Sequence, residues 1–163
     1  MTQRSLITGG LAGLATCLIA GLCAKAERQS AWSAVNATSH IVWGERAARR
    51  DTASWKYTGT GVALNEVALI FWALLFERSS SGEPAGGGWP LVRGAAVSTL
   101  AYVTDYYLIP PRFTPGFEKR LSNTSLAVIY GGIGISLPLC SRAAAGLAQL
   151  LNRKSTAISG RTE

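Results

Sequence analysis

The sequence predicts an all-α membrane protein: a four-transmembrane-helix bundle with a short interfacial helix in its first connection. Three observations carry that prediction. Hydrophobic residues make up 48% of the 163-residue chain and charged residues only 15%, against roughly 25% charged in soluble domains. Four stretches of membrane-crossing length are almost without charge. Within them, small residues recur at helical spacing, as helices packing in lipid require. The same composition excludes a disordered chain, a coiled coil and a disulfide-stapled module. Three cysteines make no metal or redox motif.

The first span, 5–24, lies between Arg4 and Lys25 and is uncharged. The second, 57–76, lies between Lys56 and Glu77 and is broken only by Glu66. The third, 94–110, carries Asp105 and is stopped by Pro110–Pro111, because a proline removes a backbone donor and disfavours helix in the residue before it. The fourth, 121–141, lies between Arg120 and Arg142 and is again uncharged. A hydrocarbon core of ~30 Å needs about 20 residues at a rise of ~1.5 Å, and each stretch is close to that. Arg4, the apolar run and Ala24-Lys25-Ala26 also resemble a cleavable leader. The run exceeds the usual ~7–15 apolar residues of such a segment, so it reads as a span. Residues 1–151 then form one membrane domain, and 152–163 a polar, disordered tail.

The connections have character of their own. Residues 31–43 form a semi-apolar run too short to cross, flanked by Trp32 and Trp43. This suits a helix lying in the interface or tucked against the bundle. Residues 77–93 hold two runs of Ser and Gly with balanced charge and read as a flexible loop. Thr114-Pro115 with Glu118 is a helix-start signal, so the fourth helix is expected to begin near Pro115 and to run to about Leu151. Nine basic residues fall on the side of the first and third connections and seven on the other. The positive-inside rule then leans both termini out of the cytoplasm.

The first span carries Gly9, Gly13, Cys17 and Gly21 at four-residue spacing; the second carries Gly59, Ala63, Glu66 and Ala73; the third, Gly94, Ser98, Ala101 and Asp105. These are helix-packing faces, within the chain or toward a partner. Both intramembrane acids lie on them, as expected when a carboxylate facing lipid costs roughly 3 kcal/mol. Measured from the side of the first and third connections, Glu66 is about 15 Å deep and Asp105 about 10 Å. The helix bearing Asn36 and His40 belongs to that same side. One candidate polar or proton-carrying site follows: His40 with Asn36, Asn65 with Glu66, and Asp105 with Tyr102 and Tyr106. The competing reading is that these groups satisfy one another and fix helix register. His40, Glu66 and Asp105 make a thin metal set, so no metal or cofactor is expected. The net charge of +7 comes from arginines at membrane edges, which favours anionic lipid and gives no reason to invoke nucleic acid.

Asn36–Gly44, Tyr57–Gly61 and Asp105–Phe117 together resemble stretches of uncharacterised small multi-span integral membrane proteins from bacterial genomes, over roughly residues 5–145. The resemblance implies a bacterial inner membrane and no activity. Size and span number are also similar to small multidrug-resistance transporters, but these place their essential glutamate in the first span, where this chain has none. The expected role is a non-enzymatic structural or accessory component, in the lipid bilayer and associating through its small-residue faces with a second copy or another membrane protein. The alternatives are a proton- or ion-coupled small transporter using Glu66 and Asp105, and a membrane-embedded metal enzyme.

Overall fold

The computed structural model describes residues 3–79 and 88–159, and these are helical with no strand among them. Helix α1 (Gln3–Ala26) is followed by three short helices, α2 (Ser33–Thr38), α3 (His40–Trp43) and α4 (Glu45–Ala48). A π-helical turn (Trp55–Gly59) leads into α5 (Thr60–Arg78). Helix α6 (Trp89–Val103) runs on into a second π-helical turn (Thr104–Leu108), and α7 (Asn123–Ser159) closes the chain. Three segments are long and apolar enough to cross a membrane: Gln3–Ala26, Trp55–Arg78 and Asn123–Gln149. The α-helical part of α6 is 15 residues.

Helix α1 lies between α5 and α7, antiparallel to both, and α6 packs along α7. Its glycines explain the closeness. A Cβ on Gly9 would lie 2.8 Å from the backbone N of Ile70 in α5, and one on Gly13 would lie 2.6 Å from the Glu66 carboxylate. Gly21 faces the Ala31 carbonyl at 3.1 Å. The whole stripe is therefore occupied inside the chain. The opposite face of α1 presents Leu6, Leu11, Leu14, Leu18 and Leu22, all exposed. Val67 and Phe71 of α5, Leu100 and Val103 of α6, and Val128, Ile135 and Leu139 of α7 are exposed likewise. An outer surface this apolar suits lipid, not water.

Helix α7 passes through Pro138. Proline lacks the N–H that would bond the carbonyl of Gly134, four residues back. Gly94 of α6 sits at that place, where a Cβ would be 3.0 Å from Pro138 Cδ. The absence of a side chain at Gly94 is why α6 comes so near. Ser98, one turn on, donates to the Tyr130 carbonyl.

Four expectations need correction. Gly59 lies in the π-helical turn, where a Cβ would meet only Trp55 at 3.5 Å. The extra residue in that turn puts Gly59 out of register with α5, and within α5 Gly61, Asn65 and Leu69 are buried while Ala63 is exposed. The fourth helix starts at Asn123, because Gly116 adopts φ +82° and turns the chain away from helix; Phe117–Lys119 is a single 3-10 turn. The helix then continues to Ser159, past the boundary at 152 expected for a disordered tail. Alanine- and leucine-rich sequence after Arg142 contains no helix breaker but Gly146, and propagation of an established helix is easy. The helix expected over 31–43 is broken at Ser39, and residues 33–40 are all buried, so it is tucked into the molecule and not laid on its surface. The flexible loop expected between the second and third spans falls largely on residues 80–87, and the tail's end on 160–163, outside the described residues.

Polar clamps close both ends. At the terminal side, Arg4 pairs with Glu77 at 3.0 Å and donates to Ser141 at 2.7 Å, while Thr8 donates to Glu77. At the other side, Glu27 accepts from the Ser122 N–H, the Ser122 hydroxyl and the Ser125 hydroxyl at the start of α7. These bonds hold its carboxyl below the ordinary glutamate range. A depressed folded-state pKa contributes stability above the unfolded pKa and loses it as pH falls through the folded one. Glu27→Gln is therefore expected to lower the melting temperature by a few degrees at pH 7. In a pH series of melts the gap to wild type should close toward strongly acid pH; a gap that widens on acidification would contradict the cap.

Candidate functional site

The residues expected to form one polar site separate into three places. Asn36 is a staple of the first connection. Its Nδ2 donates to the carbonyls of Arg50 (2.9 Å) and Thr52 (3.0 Å), and its Oδ1 accepts from Thr58 at 2.7 Å. His40 is 1% exposed; its Nδ1 lies 2.8 Å from the Ala37 carbonyl, which can only accept, so Nδ1 carries the proton. Its ring packs on Gly116, where a Cβ would lie 2.9 Å from Nδ1. These two residues join the first connection to itself and to the third.

Glu66 faces α1. Its carboxylate rests in the notch made by Gly10 and Gly13, with Oε1 buried and without a hydrogen-bond partner. Asn65, next to it on the helix, also reaches α1: its Nδ2 donates to the Gly13 carbonyl at 2.9 Å and to Cys17 Sγ at 3.4 Å. Asn65 also borders a partly open cavity.

That cavity, about 120 Å³, is where Asp105 lies. The π-helical turn Thr104–Leu108 carries Asp105 at the end of α6, and turns of this kind recur at functional sites. Tyr130 of α7 donates its hydroxyl to Asp105 Oδ2 at 2.6 Å. Tyr102 and Tyr106 meet Tyr130 edge to face with ring centres 5.2 and 5.8 Å away, and Tyr102 belongs to this aromatic shell and does not line the cavity. Helix α5 supplies Leu64, Asn65, Leu69 and Trp72; Thr38 and Ile41 come from the first connection; Phe113, Pro115 and Phe117 from the third. Depth from the connection side, read off helix direction, brings Asn65 and Asp105 together. It does not bring Glu66 with them, since neighbouring residues on a helix point about 100° apart.

Thr38, Tyr130, Trp72 and Phe117 were not legible as site residues. Thr38 is 4% exposed and its hydroxyl has no hydrogen-bond partner. Tyr130 sits in an uncharged span with no spacing signal to tie it to Asp105, 25 residues away. Among the described residues no three His, Cys, Asp or Glu side chains gather as a metal site needs. The chain matches no family model, no curated protein and no solved structure.

Proposed function

We propose that this is a four-span integral membrane protein that takes up a proton or a small cation at Asp105, a small ion- or proton-coupled transporter with Glu66 as its second intramembrane acid. The observation that carries the reading is Asp105 itself: a carboxylate at the end of α6, held by one tyrosine and bordering a cavity. Acids in such places are by default proton or ion carriers. Helix α6 with its π-helical turn covers 20 residues from Trp89 to Leu108, which at ~1.5 Å per residue suffices for a fourth crossing. Trp32, Trp43 and Trp55 are exposed at the connection side and Trp89 at the other, where headgroups would lie. The basic excess on the connection side supports a cytoplasmic orientation for it, in a bacterial inner membrane.

Passage through the bundle requires α5 and α6, which touch less extensively than the other neighbouring pairs, to part beyond Leu69, Trp72 and Phe76. The accessory-component reading draws less support, because Gly9, Gly13, Gly94 and Ser98 all face helices of the same chain.

The test is proton flux into proteoliposomes carrying an internal pH dye under an imposed gradient. Wild type should exceed protein-free vesicles, and Asp105→Asn should reduce the excess by about tenfold or more, with Glu66→Gln affected less. Flux equal in wild type and Asp105→Asn would remove the reading.

A further inference from the structure

We propose that the cavity beside Asp105 binds a small organic ammonium cation. This rests on the reading above and narrows its substrate class.

Three polar groups at the cavity have hydrogen-bonding capacity left over. Tyr130 uses Asp105 Oδ2, and Oδ1 takes no hydrogen bond among the described residues. Asn65 gives its N–H groups to Gly13 and Cys17, leaving its carbonyl oxygen as an acceptor. The Thr38 hydroxyl, on a residue 4% exposed, has no partner. No basic side chain lines the cavity, so nothing in the wall neutralises the carboxylate. An anion is excluded by the same inventory. A hard dication wants six or more oxygens, and the side chains lining the cavity offer five, two of them already bonded to each other.

The rest of the wall is apolar and aromatic: Trp72, Phe113, Phe117 and Tyr130, with Leu64, Leu69 and Ile133. Aromatic rings attract ammonium groups and recognise alkylated ones in particular. Such a wall cannot replace the hydration of an inorganic ion but does accommodate methyl groups. Size sets the limit. An apolar cavity of about 150 Å³ takes benzene, so one of about 120 Å³ takes roughly five non-hydrogen atoms.

Cation and proton compete for the same carboxylate, so affinity rises with pH. The titratable groups around Asp105 are Tyr102 and Tyr106 on its own element, Tyr130 on α7 and Glu118 in the third connection. The first connection and α5 face the cavity with Thr38 and Asn65, neither of which titrates.

The experiment is calorimetric titration of the full chain in detergent at constant ionic strength. Methylammonium and tetramethylammonium should bind saturably, and tetraethylammonium, nearly twice as large, should not. Asp105→Asn should weaken methylammonium by about tenfold or more and Thr38→Val by about threefold. The Thr38→Val arm holds even where Asp105→Asn fails to fold. Equal binding of neutral tert-butanol, or no binding of either small ammonium ion, would overturn the inference. Asp105-dependent proton flux without ammonium binding would overturn it while leaving the transport reading. Ammonium binding without flux would uphold the site and remove transport.

Discussion

Gly9→Leu is expected to unseat α1 from α5 and to leave little of the protein recoverable as one folded species. A Cβ there meets the backbone of Ile70, with its N at 2.8 Å, and the Ile70 Cγ1 at the same distance. Overpacking ordinarily costs about 1–3 kcal/mol because side chains yield. Here a helix backbone must move instead, so the cost lies at or above the top of that range. Helix α1 is the shared neighbour of α5 and α7, and its displacement also breaks the Asn65 bond to the Gly13 carbonyl. Size-exclusion profiles and melting curves in detergent check this. Gly131→Leu is the control, since a Cβ at Gly131 meets nothing within 4 Å. If the two variants behave alike, close approach of α1 and α5 is wrong.

Gly116→Ala should be nearly as damaging, for a different reason. Gly116 holds φ +82°, a left-handed conformation that costs other residues about 1–2 kcal/mol. Its Cβ would also lie 2.7 Å from the Ala37 carbonyl and 2.9 Å from His40 Nδ1. Backbone strain and overpacking together give about 2–5 kcal/mol, a melting temperature lower by roughly 5–15 °C. Because Pro115 and Phe117 flank Gly116 and border the cavity, ammonium binding should weaken in parallel. His40→Ala in the Gly116→Ala background should recover only part of the loss, since the Ala37 carbonyl stays in place. A melt within a degree of wild type would contradict the junction of the two connections.

Much of the fold was legible because it depends on local properties. Runs near 20 residues with at most one charge predict helices long and apolar enough to cross a membrane, and α1, α5 with the turn before it, and the front of α7 are such helices. Small residues at four-residue spacing predict close packing, and Gly9, Gly13, Gly21 and Gly94 pack closely. Gly59 misled because a π-helical turn precedes α5, and the resulting shift of register leaves no mark in hydrophobic periodicity. The helix-start signal at Thr114-Pro115 misled in a related way. Thr114 does bond Glu118, at 2.7 Å, but the positive φ of Gly116 between them prevents a helix from forming.

The candidate site was legible only in part. Sequence led us to expect two acids at membrane depth and something to cover them, because an uncovered carboxylate in lipid is too costly. It could not say what covers each. Tertiary structure decided that Glu66 lies in a glycine notch on α1, that Asp105 meets Tyr130, and that Asn36 and His40 tie the connections together. It alone brought Thr38 beside Asn65 and Asp105 to form a cavity. The division has a physical cause. Hydrophobicity and helix spacing act along the chain and are written in it residue by residue. Which faces meet depends on helix rotation and on hydrogen bonds between residues far apart in sequence, and these exist only once the bundle has formed.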